Sequence, residues 1–160
     1  MNKKFLVLLR LCVVIVSMSS ACAFDLNSVS DLFINNGDAT NVTISGIDFN
    51  IPSGFTEALN ESVENQTTDN PYINYSMSSK TFLNVDGDAI EIAVSGSDDV
   101  QADDDFAKEA AMGGNKTTIN GVDGYEFSDI DFNGFTFAKD GKLVILLATN
   151  KELLNDVVVA

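Results

Sequence analysis

The side chains in this sequence that could do chemistry are almost all oxygen donors. Five aspartates, Asp98, Asp99, Asp103, Asp104 and Asp105, fall within eight residues. Carboxylates this close repel one another unless water or a hard cation separates them, and oxygen-only ligation suits Ca2+. They form the candidate metal site, and Ca2+, bound weakly, is the only cofactor the residues allow. Asp103, Asp104 and Asp105 also have a second explanation. They fit the first turn of a helix, where free N–H groups attract anions with or without a metal. A second oxygen-rich run, Asn84-Val-Asp86-Gly87-Asp88, fails the EF-hand template: counted from Asn84, the glycine falls due at Ala89 and the bidentate Glu at Ser95. It reads as an Asp-Gly hairpin turn.

Nucleophiles are scarcer still. Ser76, Ser78 and Ser79 precede Lys80, but an S-x-x-K arrangement would need serine where Met77 stands. These residues read as the surface of a strand, with Ser78 and Lys80 on one face. There is no His and no Trp, the only Arg is Arg10, and the only cysteines are Cys12 and Cys22. An imidazole base, a thiolate nucleophile, a His/Cys zinc site and an arginine clamp are therefore all excluded after residue 23. A carboxylate pair could in principle hydrolyse glycosides, but no Trp is present to stack a sugar. The chain reads as a non-enzyme, with a carboxylate-based hydrolase as the remote alternative.

Met1–Ala23 reads as a secretory signal peptide. Lys3 and Lys4 precede the apolar run Phe5–Val16, and Ala21-Cys22-Ala23 is a small-x-small cleavage signal before Phe24. The alternative is lipid attachment at Cys22, for which Ala21 is suitable and Ser19 is not; this would be the one route to a membrane. The whole chain carries a net charge of −15. Residues 24–160 hold six Lys against all 24 Asp and Glu, a net charge of −18. Scattered lysines on so acidic a chain exclude nucleic acid and disfavour anionic membrane surfaces. Five N-x-S/T sequons, at Asn41, Asn60, Asn65, Asn74 and Asn115, are glycosylation candidates, although an Asn-rich chain also produces such matches by chance. The expected location is secreted or cell-surface. The expected partner is an unidentified cell-envelope or extracellular protein or ligand.

The elements that must position these residues are mostly strands. After a lead-in at 24–41, with a short helix over Ser28–Ile34, a single domain spans 42–160. Val42–Ile44 and Ile47–Ile51 alternate around Ser45-Gly46, a hairpin signal. Pro52-Ser53-Gly54 stops the second strand. Residues 56–71 read mainly as a loop, with one helical turn around Ala58–Val63. Tyr72–Val85 turns at Asp86-Gly87 into Ala89–Ser95, whose alternation predicts one buried and one wet face. Ala102–Met112 is the strongest helix pattern, ended by Gly113-Gly114. Asn120-Gly121, Asn133-Gly134 and Asp140-Gly141 predict hairpin turns. Phe132 and Phe135, flanking the second of these, could form an exposed aromatic patch for a partner; most of the 11 Phe read as core. Leu143–Ala148 is apolar throughout, which predicts a central strand covered on both faces. Thr149 and Glu152 have capping-box spacing ahead of a helix with Leu153, Leu154 and Val157. The expected fold class is α+β: an antiparallel sheet of about 6–8 strands in a hairpin meander, packed against one or two helices.

Three stretches carry a family resemblance: Phe49-Asn-Ile-Pro52-Ser-Gly-Phe55, Thr118-Ile-Asn-Gly121-Val-Asp-Gly124-Tyr-Glu-Phe127, and Phe135-Thr-Phe-Ala-Lys-Asp-Gly-Lys-Leu-Val-Ile145 leading into Leu153–Ala160. In pattern, residues 42–160 resemble the Mog1/PsbP-like group of small α+β domains, with its Pro-x-Gly-aromatic turn, Gly-bearing strand entry and closing strand–helix–strand. The chain is also similar to short exported archaeal proteins of unassigned function. The resemblance implies a binding or scaffolding role and transfers no functional residue. Together these features predict a non-catalytic extracellular binding or adhesion module, with a Ca2+-responsive surface protein as the alternative.

Overall fold

The computed structural model describes residues 38–70, 73–129 and 131–160. The expected signal segment Met1–Ala23, its Cys22, and the expected helix Ser28–Ile34 lie outside them. The described chain is mostly antiparallel β-sheet with two short helices, in keeping with an α+β class.

Strands β1 (Thr40–Ile44) and β2 (Ile47–Ile51) form a separate two-stranded hairpin. Its turn places Ser45 at φ 48° and Gly46 at φ 82°, the left-handed pair that lets a two-residue loop follow the strand twist. The main sheet comprises β3 (Thr56–Glu57), β4 (Val63–Asn70), β5 (Ile73–Leu83), β6 (Ala89–Gly96), β7 (Asn115–Ile119), β8 (Val122–Ser128), β9 (Asn133–Lys139) and β10 (Lys142–Ala148). Its order is β3-β5-β6-β10-β9-β8-β7, and β4 shares the β3 edge of β5.

This order corrects the expected meander. β10 lies between β6 and β9, pairing Val144 with both Val94 and Phe137. The reason is compositional: every residue from Leu143 to Ala148 is buried, and such a strand needs neighbours on both edges and cover on both faces.

The cover comes from two different layers. On one face, Ile92, Phe135, Phe137, Val144 and Leu146 pack with Ile44, Ile47 and Phe49 of the hairpin. Leu154 and Val157 of helix α2 (Lys151–Val157) join the same cluster. On the other face, Met77, Ala93, Tyr125, Leu143, Ile145 and Leu147 pack under Phe106, Ala107 and Ala111 of helix α1 (Asp104–Ala110) and its cap. The expected wet face of β6 is therefore partly buried: Ala93 joins the second cluster, beside β10, and Glu91 is only partly exposed.

Four local expectations also change. Residues 56–71 hold β3, a 3-10 turn at Leu59–Glu61 and β4, so the polar run is mainly an edge strand; its exposed side chains hid the pattern. Asn133-Gly134 begins β9 and is not a turn; the reversal occurs just before it, closed by the Asp129 N–H donating to the Phe132 carbonyl at 2.9 Å. Asn150 caps α2 in place of Thr149, accepting from the Glu152 N–H. Thr149 instead ties the chain to β6, its hydroxyl accepting from the Ala89 N–H and donating to Asp88. The expected closing strand is a single bridge, Val158 to Phe49.

Candidate functional site

Three of the five candidate Ca2+ aspartates have separate structural partners. Asp103 caps α1 by accepting from the Phe106 N–H at 3.0 Å. Asp99 accepts from the Asn74 N–H at 3.1 Å, holding the loop after β6 to the start of β5. Asp104 accepts from the Tyr125 hydroxyl at 2.8 Å and from Lys116 Nζ at 3.2 Å. Asp98 and Asp105 are exposed, Asp98 on a polar depression beside Lys142. Among the described residues, no group of three or more carboxylates is placed to hold a metal ion. The Asn84–Asp88 run is a turn satisfied from within: Asn84 Oδ1 accepts from the N–H groups of Asp86 and Asp88, and Gly87 takes φ 88°.

Asp104, Tyr125 and Lys116 form a small coupled network on the α1 face. Lys116 Nζ also stands 5.7 Å from the centre of the Tyr125 ring. The Tyr125 hydrogen bond, then Lys116, holds the Asp104 carboxyl below its ordinary value. The same carboxylate stabilises the protonated phenol and the ammonium, raising the Tyr125 and Lys116 values. The network locks α1 onto the sheet, and its phenol is more firmly protonated than usual, the opposite of what a base needs.

The serines beside Lys80 split in a way the strand reading missed. Ser76 is exposed, but Ser78 and Ser79 are buried. Ser78 Oγ accepts from the Asn65 N–H at 3.0 Å and from the Ser45 hydroxyl at 3.1 Å, tying β4 and the β1–β2 turn to β5. Lys80 does not face a serine. Both Glu57 oxygens lie 3.0 Å from its Nζ, and Glu64 lies at 3.6 Å. The Glu57 hydrogen bond is the main reason its pKa is raised, so Lys80 stays charged and is no proton acceptor.

The sequon asparagines Asn41, Asn60, Asn65, Asn74 and Asn115 are all exposed. The expected aromatic patch is not formed. Phe135 is fully buried in the hairpin-side core, its ring 5.5 Å from that of Phe137. Phe132, on the opposite face, is half-buried against the α1 cluster.

Phe132 instead belongs to a groove of about 640 Å³, between the end of α1, the β8–β9 reversal and the start of α2. Its apolar wall is Phe127, Phe132 and Leu147. Met112 stands on its lip, 72 % exposed. Glu126, Asp129 and Asp131 supply negative charge, and the one cation of the lining among the described residues, Lys151, is paired to Glu126 at 2.8 Å. Two glycines set its shape. At Gly114 a Cβ would collide with the Glu126 carbonyl, so only glycine lets the chain leaving α1 hug β8. At Gly134 a Cβ would collide with the outer edge of the ring of Phe127, its cross-strand partner.

The sequence reading did not single out Met112. The signal was there: a large apolar side chain just ahead of Gly113-Gly114, where a helix end usually has glycine or a small polar residue.

No family model, curated protein or solved structure matches this chain. Among the described residues no helix is long and apolar enough to cross a membrane.

Proposed function

We propose that this protein is a secreted or cell-surface, non-catalytic binding module, and that the groove beneath Met112 is its recognition surface. The groove carries the reading. It combines an apolar wall, an exposed methionine and an acidic rim. The rest of the molecule's chemistry supports the same conclusion. Lys80, Asp103 and Asp104 have structural partners, and residues 24–160 lack His, Cys, Arg and Trp. The signal-like Met1–Ala23 supports export, with either cleavage before Phe24 or lipid attachment at Cys22 as the outcome. The sequence resemblance of residues 42–160 to the Mog1/PsbP-like group would also imply a binding role.

The test is capture of cell-envelope components on the purified protein, run beside a screen of glycoside and ester substrates. Saturable retention of a component recovered unchanged is expected. Turnover in the screen that disappears on replacing a carboxylate would refute the non-catalytic reading.

A further inference from the structure

We infer that the groove beneath Met112 receives a partner segment bearing a bulky apolar side chain beside Lys or Arg. This rests on the binding-module reading and adds the surface and the chemistry of the ligand.

The first observation is the backbone at Met112. Five non-glycine residues among those described have positive φ: Ser45, Asn65, Met112, Asn120 and Asp140. Four carry small polar side chains, which tolerate that region well when they bond locally. Met112, at φ 49°, has no such compensation. Glycine would fit the position better, and methionine there exposes most of an apolar side chain to water. Folding gains nothing from that choice. A ligand that covers the thioether would, since methionine adapts its shape to irregular apolar partners.

The second observation is charge. Three carboxylates, Glu126, Asp129 and Asp131, line the groove with one ammonium, and that ammonium is committed to Glu126. An anionic ligand would be repelled here and across a surface of the same sign. A cationic one would be steered in and would find Asp131 exposed on the rim. The apolar wall of Phe127, Phe132 and Leu147 then accommodates the neighbouring side chain. Asn115 stands on the same rim, so a glycan there would obstruct the groove, and binding requires Asn115 to be unmodified.

The experiment is an amide chemical-shift titration of the purified, isotope-labelled protein, made without N-glycans. The probes are capped Lys-Leu-Phe-Lys, Glu-Leu-Phe-Glu and Lys-Gly-Gly-Lys peptides. Saturable shifts at Met112, Gly113, Gly114 and Asn133 are expected with the first peptide alone, weakening as salt is added. Met112→Gly keeps the left-handed turn without straining it, so the variant should melt no lower than the parent. It should nevertheless weaken binding about tenfold, the loss of one covered apolar side chain. Asp131→Lys should weaken it as well. Equal shifts from all three peptides, shifts confined to other surfaces, or no saturable shift at millimolar peptide would overturn the proposal. If envelope components are still retained after such a failure, the binding-module reading stands and only the groove is lost. Substrate turnover beside normal peptide binding would remove the non-catalytic reading alone.

Discussion

Gly134→Ala should destabilise the protein through one ring. Gly134 pairs directly across from Phe127, whose ring occupies the space a Cβ would take. An aromatic lying over a cross-strand glycine shields backbone that would otherwise be bare. Adding the methyl forces the ring aside, and overpacking of this kind costs about 1–3 kcal/mol. Alanine recovers about 0.5–1 kcal/mol of the entropy glycine loses in a strand. The net loss should be about 1 kcal/mol. Phe127→Ala alone should cost about 2 kcal/mol, less than a fully buried Phe because the residue is only partly buried. In that background Gly134→Ala should be neutral or slightly stabilising, a coupling of about 1–2 kcal/mol. Urea unfolding followed by circular dichroism measures all four proteins, since there is no Trp to serve as a fluorophore. An unchanged or raised midpoint for Gly134→Ala, or the same cost with and without the Phe127 ring, would refute the argument.

Other predictions concern polar groups. Thr136 is fully buried, and its hydroxyl has no hydrogen-bond partner among the described residues, so Thr136→Val should raise stability by about 1 kcal/mol in the same assay. The raised Lys80 pKa means its ion-pair contribution is intact below 10.5 and lost as pH rises through the higher folded value. Lys80→Met should cost about 1 kcal/mol near neutrality and flatten the alkaline fall in melting temperature. Asp104 behaves oppositely: its contribution is present above 3.8 and lost as pH falls through the lower folded value, so Asp104→Asn should make the acid limb shallower. The same variant should bring the Tyr125 ionisation, held above 10.0, back down in an ultraviolet titration. Ca2+ and Mg2+ should raise the melting temperature equally, by screening the net charge; a saturable, Ca2+-specific rise would support the Asp98–Asp105 site.

What was legible in the chain followed the strength of local pattern. Ser45-Gly46, Asp86-Gly87, Asn120-Gly121 and Asp140-Gly141 all turn where their dipeptides indicate, because the glycine in each takes a positive φ. The apolar run of β10 correctly signalled a strand covered on both faces. Asn133-Gly134 misled because the same dipeptide also suits a strand start in which glycine yields space to Phe127. β4 was missed because its polar residues lie at the exposed edge of the sheet, where burial imposes little alternation. Sheet order was not legible, since pairing β10 with β6 joins segments whose contact no local pattern records. The groove was out of reach for the same reason. It draws on the segment after α1 and on β7, β8, β9, β10 and α2, and the aspartates Asp98–Asp105 that stood out in the chain lie elsewhere.

The central position of β10 has a consequence for biogenesis. Until residues 142–148 emerge, β6 and β9 have no common neighbour, so the sheet exists only as two halves with unfinished edges. The hairpin-side core also waits for Val144, Leu146, Leu154 and Val157. A nascent chain therefore cannot complete either hydrophobic layer during most of its synthesis. The non-local closure that follows is the slow kind, so final folding has to wait for residues 142–157.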